Sequence, residues 1–202
     1  MANSYELIFK NESKNTGDVC IFQQQPSDTD FQTLAWITKT ASPDTEITFQ
    51  WDVDYAVLWS EEETRNGIKI TSSEILPADL ESQNEITLTK KDGAYQFINQ
   101  TTNKSIIGSI LIICDNTVEA NQAIVGVNIS GKGVFTRAAN PNMTYQITPQ
   151  NEYWIDFGSF TEGEILDTET FNKAAEITYP DNVYSMTAIL NADNTWTITP
   201  TK

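Results

Sequence analysis

The sequence predicts an all-β fold: a two-sheet antiparallel β-sandwich with at most one or two short helical turns, in a single domain over residues 1–202. Three observations predict it. Apolar and polar residues alternate with period two from one end of the chain to the other, the pattern of half-buried strands. Helical periodicity is almost absent. The runs are separated by turn chemistry, such as Asp92-Gly93, Asn66-Gly67, Ser42-Pro43-Asp44 and Asn191-Ala192-Asp193-Asn194.

Taken in chain order, strands are expected at 5–10, 19–24, 34–38, 46–52, 55–59, 68–72, 85–90 and 94–99. The series continues at 105–114, 123–130, 133–137, 144–148, 153–157, 184–190 and 195–199. Ile47, Phe49 and Trp51 alternating with Glu46, Thr48, Gln50 and Asp52 show the pattern plainly. Lys91-Asp92-Gly93-Ala94 is the clearest hairpin, joining Ile86-Thr87-Leu88-Thr89 to Tyr95-Gln96-Phe97. The stretch 106–114 is the most apolar, but Gly108 and Ser109 interrupt it and it has about half the length of a spanning helix, so it is a buried strand. Residues 117–122 and 171–176 could each form a helical turn and are too short to build an α layer. So many short strands imply two packed sheets or a barrel-like sandwich. No linker, charge block or internal repeat divides the chain.

Composition bounds the partners. The chain has 28 acidic and 12 basic residues, a formal charge of −16 and a pI near 4.1. Nucleic acid and anionic membranes, both densely negative, are therefore not expected partners. The acidity keeps the chain soluble. It also leaves calcium or a basic partner open as uses for the charge, with plain solvation as the simplest. The amino terminus, Met1-Ala2-Asn3-Ser4-Tyr5-Glu6, has neither a basic region nor an apolar stretch of leader type. A cytoplasmic location, or export without a secretory signal peptide, is expected.

Histidine is absent, which removes the commonest general base, the histidine-activated nucleophiles and most zinc, copper and iron sites. Cys20 and Cys114 lie inside apolar runs and read as two buried free thiols, with one bridge as the alternative. No cofactor is called for, calcium being the one cation the residues admit. Its candidate ligands are Asp52 and Asp54 in Trp51-Asp52-Val53-Asp54-Tyr55, which on one extended strand would point to the same face. A solvated turn is the plainer reading, since the spacing and glycine of an EF-hand loop are missing. A carboxylate pair is also all that a glycosidase needs.

Five tryptophans offer rings for stacking on a sugar. Trp36, Trp51 and Trp154 keep apolar company and belong in the core. Trp59, before Ser60-Glu61-Glu62-Glu63, and Trp196, within Asn194-Thr195-Trp196-Thr197, are the candidate surface rings. The candidate ligand site is therefore Trp59 with Glu61 and Glu62, and Trp196. Gly126, Gly131 and Gly133 lack the helix that a phosphate loop requires and mark a tight hairpin between buried strands.

The run Leu34-Ala35-Trp36-Ile37, then Trp51-Asp52-Val53-Asp54-Tyr55-Ala56-Val57-Leu58-Trp59-Ser60-Glu61, resembles the rhizosphere-expressed protein A family. So do Val125-Gly126-Val127-Asn128-Ile129-Ser130-Gly131, Tyr153-Trp154-Ile155-Asp156-Phe157-Gly158-Ser159-Phe160, and Val183 to Asn191 before Trp196. The resemblance implies a bacterial protein from a quorum-sensing-regulated operon of nodulating bacteria, linked to life around a host root and without an assigned activity. It transfers no site residue. The expectation is a non-catalytic interaction protein that binds a host or environmental ligand, a glycan or a protein, or assembles into a homo-oligomer. Its rivals are a toxin-like sandwich directed at membranes or glycans, and a carboxylate-dependent glycosidase.

Overall fold

A computed structural model describes residues 4–23, 30–61 and 73–201, and its strands form four sheets. In the first, Ser4–Asn11 lies between Glu46–Asp52 and Ser185–Leu190, and Trp196–Pro200 takes the edge. The second runs Met143–Ile147, Ile110–Cys114, Glu85–Lys91, Ala94–Thr101. The third has five strands: Gln32–Thr33, Lys132–Ala138, Ile124–Ile129, Tyr55–Ser60 and Glu74–Ala78. The fourth runs Ala175–Ile177, Tyr153–Gly158, Gly17–Phe22, Ile37–Ala41. The all-β expectation holds.

The two-sheet antiparallel sandwich does not. Two pairings are parallel, Ser4–Asn11 with Ser185–Leu190 and Ile110–Cys114 with Glu85–Lys91. Period-two alternation is the same in either direction, so the sequence pattern could not tell them apart. The sheet count departs for local reasons. Strand Glu46–Asp52 belongs to the first sheet and Tyr55–Ser60 to the third, so the chain changes sheet across Val53-Asp54 alone. The third sheet ends at Glu74–Ala78, where Pro77 has no N–H to extend a ladder. Side chains bridge to the second sheet instead: Gln100 Nε2 donates to the Pro77 carbonyl at 2.6 Å, and the Phe97 N–H donates to Glu74 Oε2 at 3.3 Å.

Other departures are local. Residues 105–114 are not one strand: Lys104–Ile106 makes a 3₁₀ turn capped by Asn103, and the strand starts at Ile110. The expected helical turn at 117–122 is a series of non-helical turns. The other, at 171–176, is a helix shifted towards the amino terminus, Thr168–Lys173, whose cap Asp167 accepts the Thr170 N–H at 3.0 Å. Ala175–Ile177 then pairs with Tyr153, Trp154 and Ile155 as a strand. The expected strand at 34–38 splits around Leu34, which bridges to Ile165. The strand expected at 68–72 lies outside the described residues.

One apolar cluster draws on all four sheets, through Leu7 and Phe49, Ile86 and Ile112, Val57 and Val127, and Ile21 and Ile155. Trp36 is wholly buried in it, its Nε1 donating to the Ile129 carbonyl at 3.0 Å, with the Trp51 ring edge-on at 5.5 Å. Trp154 is half-buried against a second, smaller cluster around Phe22. Cys20 and Cys114 are buried free thiols, as expected. Burial raises both pKa values, that of Cys114 to about 12, so neither thiol ionises near neutrality.

Both expected hairpins form. Asp92 and Gly93 have φ of 51° and 86°, the pairing that a two-residue turn between twisted strands needs. Ser130 and Gly131, at 52° and 77°, do the same between Ile129 and Lys132. This second hairpin positions the candidate site.

Candidate functional site

The third sheet has an inner face that packs into the core through Val57, Trp59, Val125, Val127 and Ile129. Alternation turns Ala56 and Asn128, which are register partners, to the other face. Ile75 and Pro77 of the edge strand stand exposed beside them, opposite Leu58 and Ala56 in the register. A groove of about 790 Å³ lies there, with Ala56 and Asn128 among its lining residues.

Two loops wall the groove. At one end the crossing Val53-Asp54 is tied to the Ser130-Gly131 hairpin: the Ser130 N–H donates to Asp54 Oδ1 at 3.0 Å and to the Asp54 carbonyl at 3.2 Å, and the Asp52 N–H donates to Ser130 Oγ at 3.3 Å. At the other, Asp79 closes a turn by accepting the Glu81 and Ser82 N–H groups on Oδ1 at 2.8 and 3.0 Å. Those two backbone bonds, the Glu81 one first, hold the Asp79 carboxyl below its ordinary pKa. The turn is anchored in turn, since the Leu80 carbonyl accepts the Gly108 N–H at 2.9 Å. Asp54, Asp79 and Glu81 thus line one groove with Ile75, Pro77 and Leu80, and no lysine or arginine is among its described lining residues.

Two buried asparagines make an instructive contrast. Asn84 uses its amide fully, with Nδ2 facing the carbonyls of Leu80, Asn103 and Ile106 and Oδ1 accepting the Asn103 N–H at 2.7 Å. Asn128 is 2% exposed and its Nδ2 has no partner. Leaving a buried amide unpaired costs about 1–3 kcal/mol. Among the described residues it is the unpartnered buried side chain that lines the groove.

The residues singled out from the sequence scatter differently. Trp59 was expected to keep one ring face open and is instead 8% exposed, its Nε1 donating to Glu74 Oε2 at 2.6 Å and its ring 5.8 Å from that of Tyr95. The edge strand paired beside Trp59 supplies Glu74 as the acceptor for its indole. Glu61 is exposed just past the strand end, and Glu62 lies outside the described residues. Trp196 is half-buried in the edge strand of the first sheet, packed on Phe9 at 5.9 Å, and so is not in the sheet that carries Trp59. Asp52 ends its strand and Asp54 lies in the sheet crossing, so the two do not share one strand, and of the two Asp54 lines the groove. No group of three or more metal-binding side chains occurs among the described residues. Sequence reasoning missed Asn128, Asp79 and Glu81. Asn128 did carry a signal, as a lone polar residue inside the apolar run Ile124–Ile129.

Another acid stands apart from the groove. Asp156 is buried in the fourth sheet, and its burial raises the carboxyl pKa against the lowering effects of the Phe157 N–H bond to Oδ1 at 2.7 Å and of Lys173. A carboxyl with a raised folded pKa stabilises the fold below its ordinary pKa, and that contribution is lost as pH rises through the folded value. Asp156→Asn keeps the acceptor and removes the charge. It is expected to raise Tm by a few degrees at neutral pH and to leave it unchanged well below the carboxylate range, measured by calorimetry.

A family model described as RhiA matches residues 2–201. Protein RhiA of Rhizobium leguminosarum bv. viciae is 28% identical over 204 residues, covering 97% of this chain and 86% of that protein. No solved structure matches the chain.

Proposed function

Since this chain belongs to the RhiA family, we propose that it is a non-catalytic interaction protein, and that the groove on the outer face of the five-stranded sheet is where it binds. The observation that carries this reading is Asn128, a buried amide without a partner at the groove's lining. Natural folds pair their buried polar groups, and an exception beside an open groove is paired when something enters it. Ile75, 46% exposed, adds an apolar contact that solvent alone does not favour.

The test follows the Asn128 side-chain amide in a proton–nitrogen spectrum while small amide and polyol fragments are added. The expected result is a shift of that signal together with the backbone signals of Ala56 and Ile75. Asn128→Val should abolish the response with Tm unchanged or slightly higher, because an unpaired polar group is replaced by an apolar one of similar size. Shifts confined to other surfaces would overturn the site. Turnover of chromogenic glycosides that is lost in Asp54→Asn, or leakage of phosphatidylcholine vesicles, would overturn the non-catalytic binding role in favour of a glycosidase or a toxin-like protein.

A further inference from the structure

Resting on that reading of the groove, we propose that its occupant is a basic peptide segment, an extended stretch of a partner protein with lysine or arginine side chains on either side of an apolar one. Charge gives the first argument. Asp54, Asp79 and Glu81 line the groove, and none of its described lining residues is a lysine or arginine. The nearest hairpin lysine, Lys132, is engaged by Glu162 at 2.6 Å, and the whole chain carries −16. A neutral ligand would leave these like charges uncompensated, and an anionic one would be repelled.

Geometry gives the second argument. The three carboxylates are not gathered as a metal cluster, so a single small cation does not satisfy them and a chain that spreads its charges does. Both aspartates are held in place through Oδ1 by backbone N–H groups, Ser130 on Asp54 and Glu81 and Ser82 on Asp79. These acceptors are set in place before binding, which lowers the ordering cost of association.

Asn128 and the apolar wall separate a peptide from other polycations. A polyamine offers donors and no acceptor, whereas a peptide backbone also offers the carbonyl acceptor that the unpartnered Asn128 Nδ2 calls for. Ile75 and Pro77, both exposed, give the methylene stems of lysine or arginine a surface to lie on. The peptide lies across the sheet face and does not add a strand at the edge. There Pro77 lacks an N–H and its carbonyl is already taken by Gln100.

The experiment is calorimetric titration of the full chain with a short peptide alternating lysine and leucine, its glutamate counterpart, its glutamine counterpart and spermine, each at low and high salt. The basic peptide is expected to bind, more weakly at high salt, and the glutamate peptide not to bind. Asp54→Asn with Asp79→Asn, which keeps the Oδ1 acceptors, should weaken binding by about tenfold or more, as should Asn128→Val. If the glutamine peptide binds as tightly and Asn128→Val abolishes it, the groove stands as a site and its cationic preference is refuted. Equal binding of spermine overturns the peptide. Binding of the basic peptide that ignores all three substitutions overturns both the preference and the groove, and no binding by any probe overturns the inference.

Discussion

Trp59→Ala is expected to destabilise the protein by about 3–5 kcal/mol, which for a chain of this length lowers Tm by roughly 10 °C or more. The ring is buried, so its removal opens a cavity beside Tyr95 in the main core. It also strips Glu74 Oε2 of the shorter of its two hydrogen bonds among the described residues and leaves the Phe97 N–H at 3.3 Å. That carboxylate is a side-chain link between the edge of the third sheet and the edge of the second. The loss should therefore spread to the Ala94–Thr101 strand, seen as faster amide exchange at Phe97. Trp59→Phe, which keeps most of the packing and removes the indole N–H, should cost less than half as much. If Trp59→Ala melts within a few degrees of the native chain, the ring is not the core element described above.

Gly126→Val should be comparably damaging. A Cβ built at this glycine runs into the Phe135 carbonyl oxygen, and Thr136 Cγ2 stands 3.0 Å away. The obstacle is backbone on the paired strand of the same sheet and cannot swing aside as a side chain can. Overpacking of this kind costs about 3 kcal/mol or more, and Gly126→Ala already incurs most of it. Gly131→Ala is the control. Nothing lies within 4 Å of a Cβ there, and the cost is only that of a left-handed residue at φ 77°, about 1–2 kcal/mol. Urea unfolding of the two alanine variants should rank them in that order, and the reverse order would contradict the close approach of the two strands.

Strand identity was legible in the sequence because alternation is a local property: Ile47, Phe49 and Trp51 against Thr48 and Gln50 declare a strand without any partner. Partnership is not local. Nothing within Ser4–Asn11 announces that one of its neighbours is Ser185–Leu190, so the number and make-up of the sheets could not be read. Trp59 was misplaced for a related reason. Its hydrogen-bond acceptor, Glu74, belongs to an edge strand whose proline hides it from a strand search. Of the groove, Asp54 was visible as part of an acidic motif. Asp79 and Glu81 join it only because a turn anchored by Gly108 brings them there.

The parallel pairing of Ser4–Asn11 with Ser185–Leu190 also dictates when the protein can fold. The strand Ser4–Asn11 leaves the ribosome well before residues 185–200, yet it must wait for them before the first sheet is complete. Leu7 and Phe9, wholly buried at the end, are left to hold whatever partial cover Glu46–Asp52 provides during synthesis. Closure of the long loop between Asn11 and Ser185 makes folding slow, and it exposes an apolar strand edge to other nascent chains in the interval.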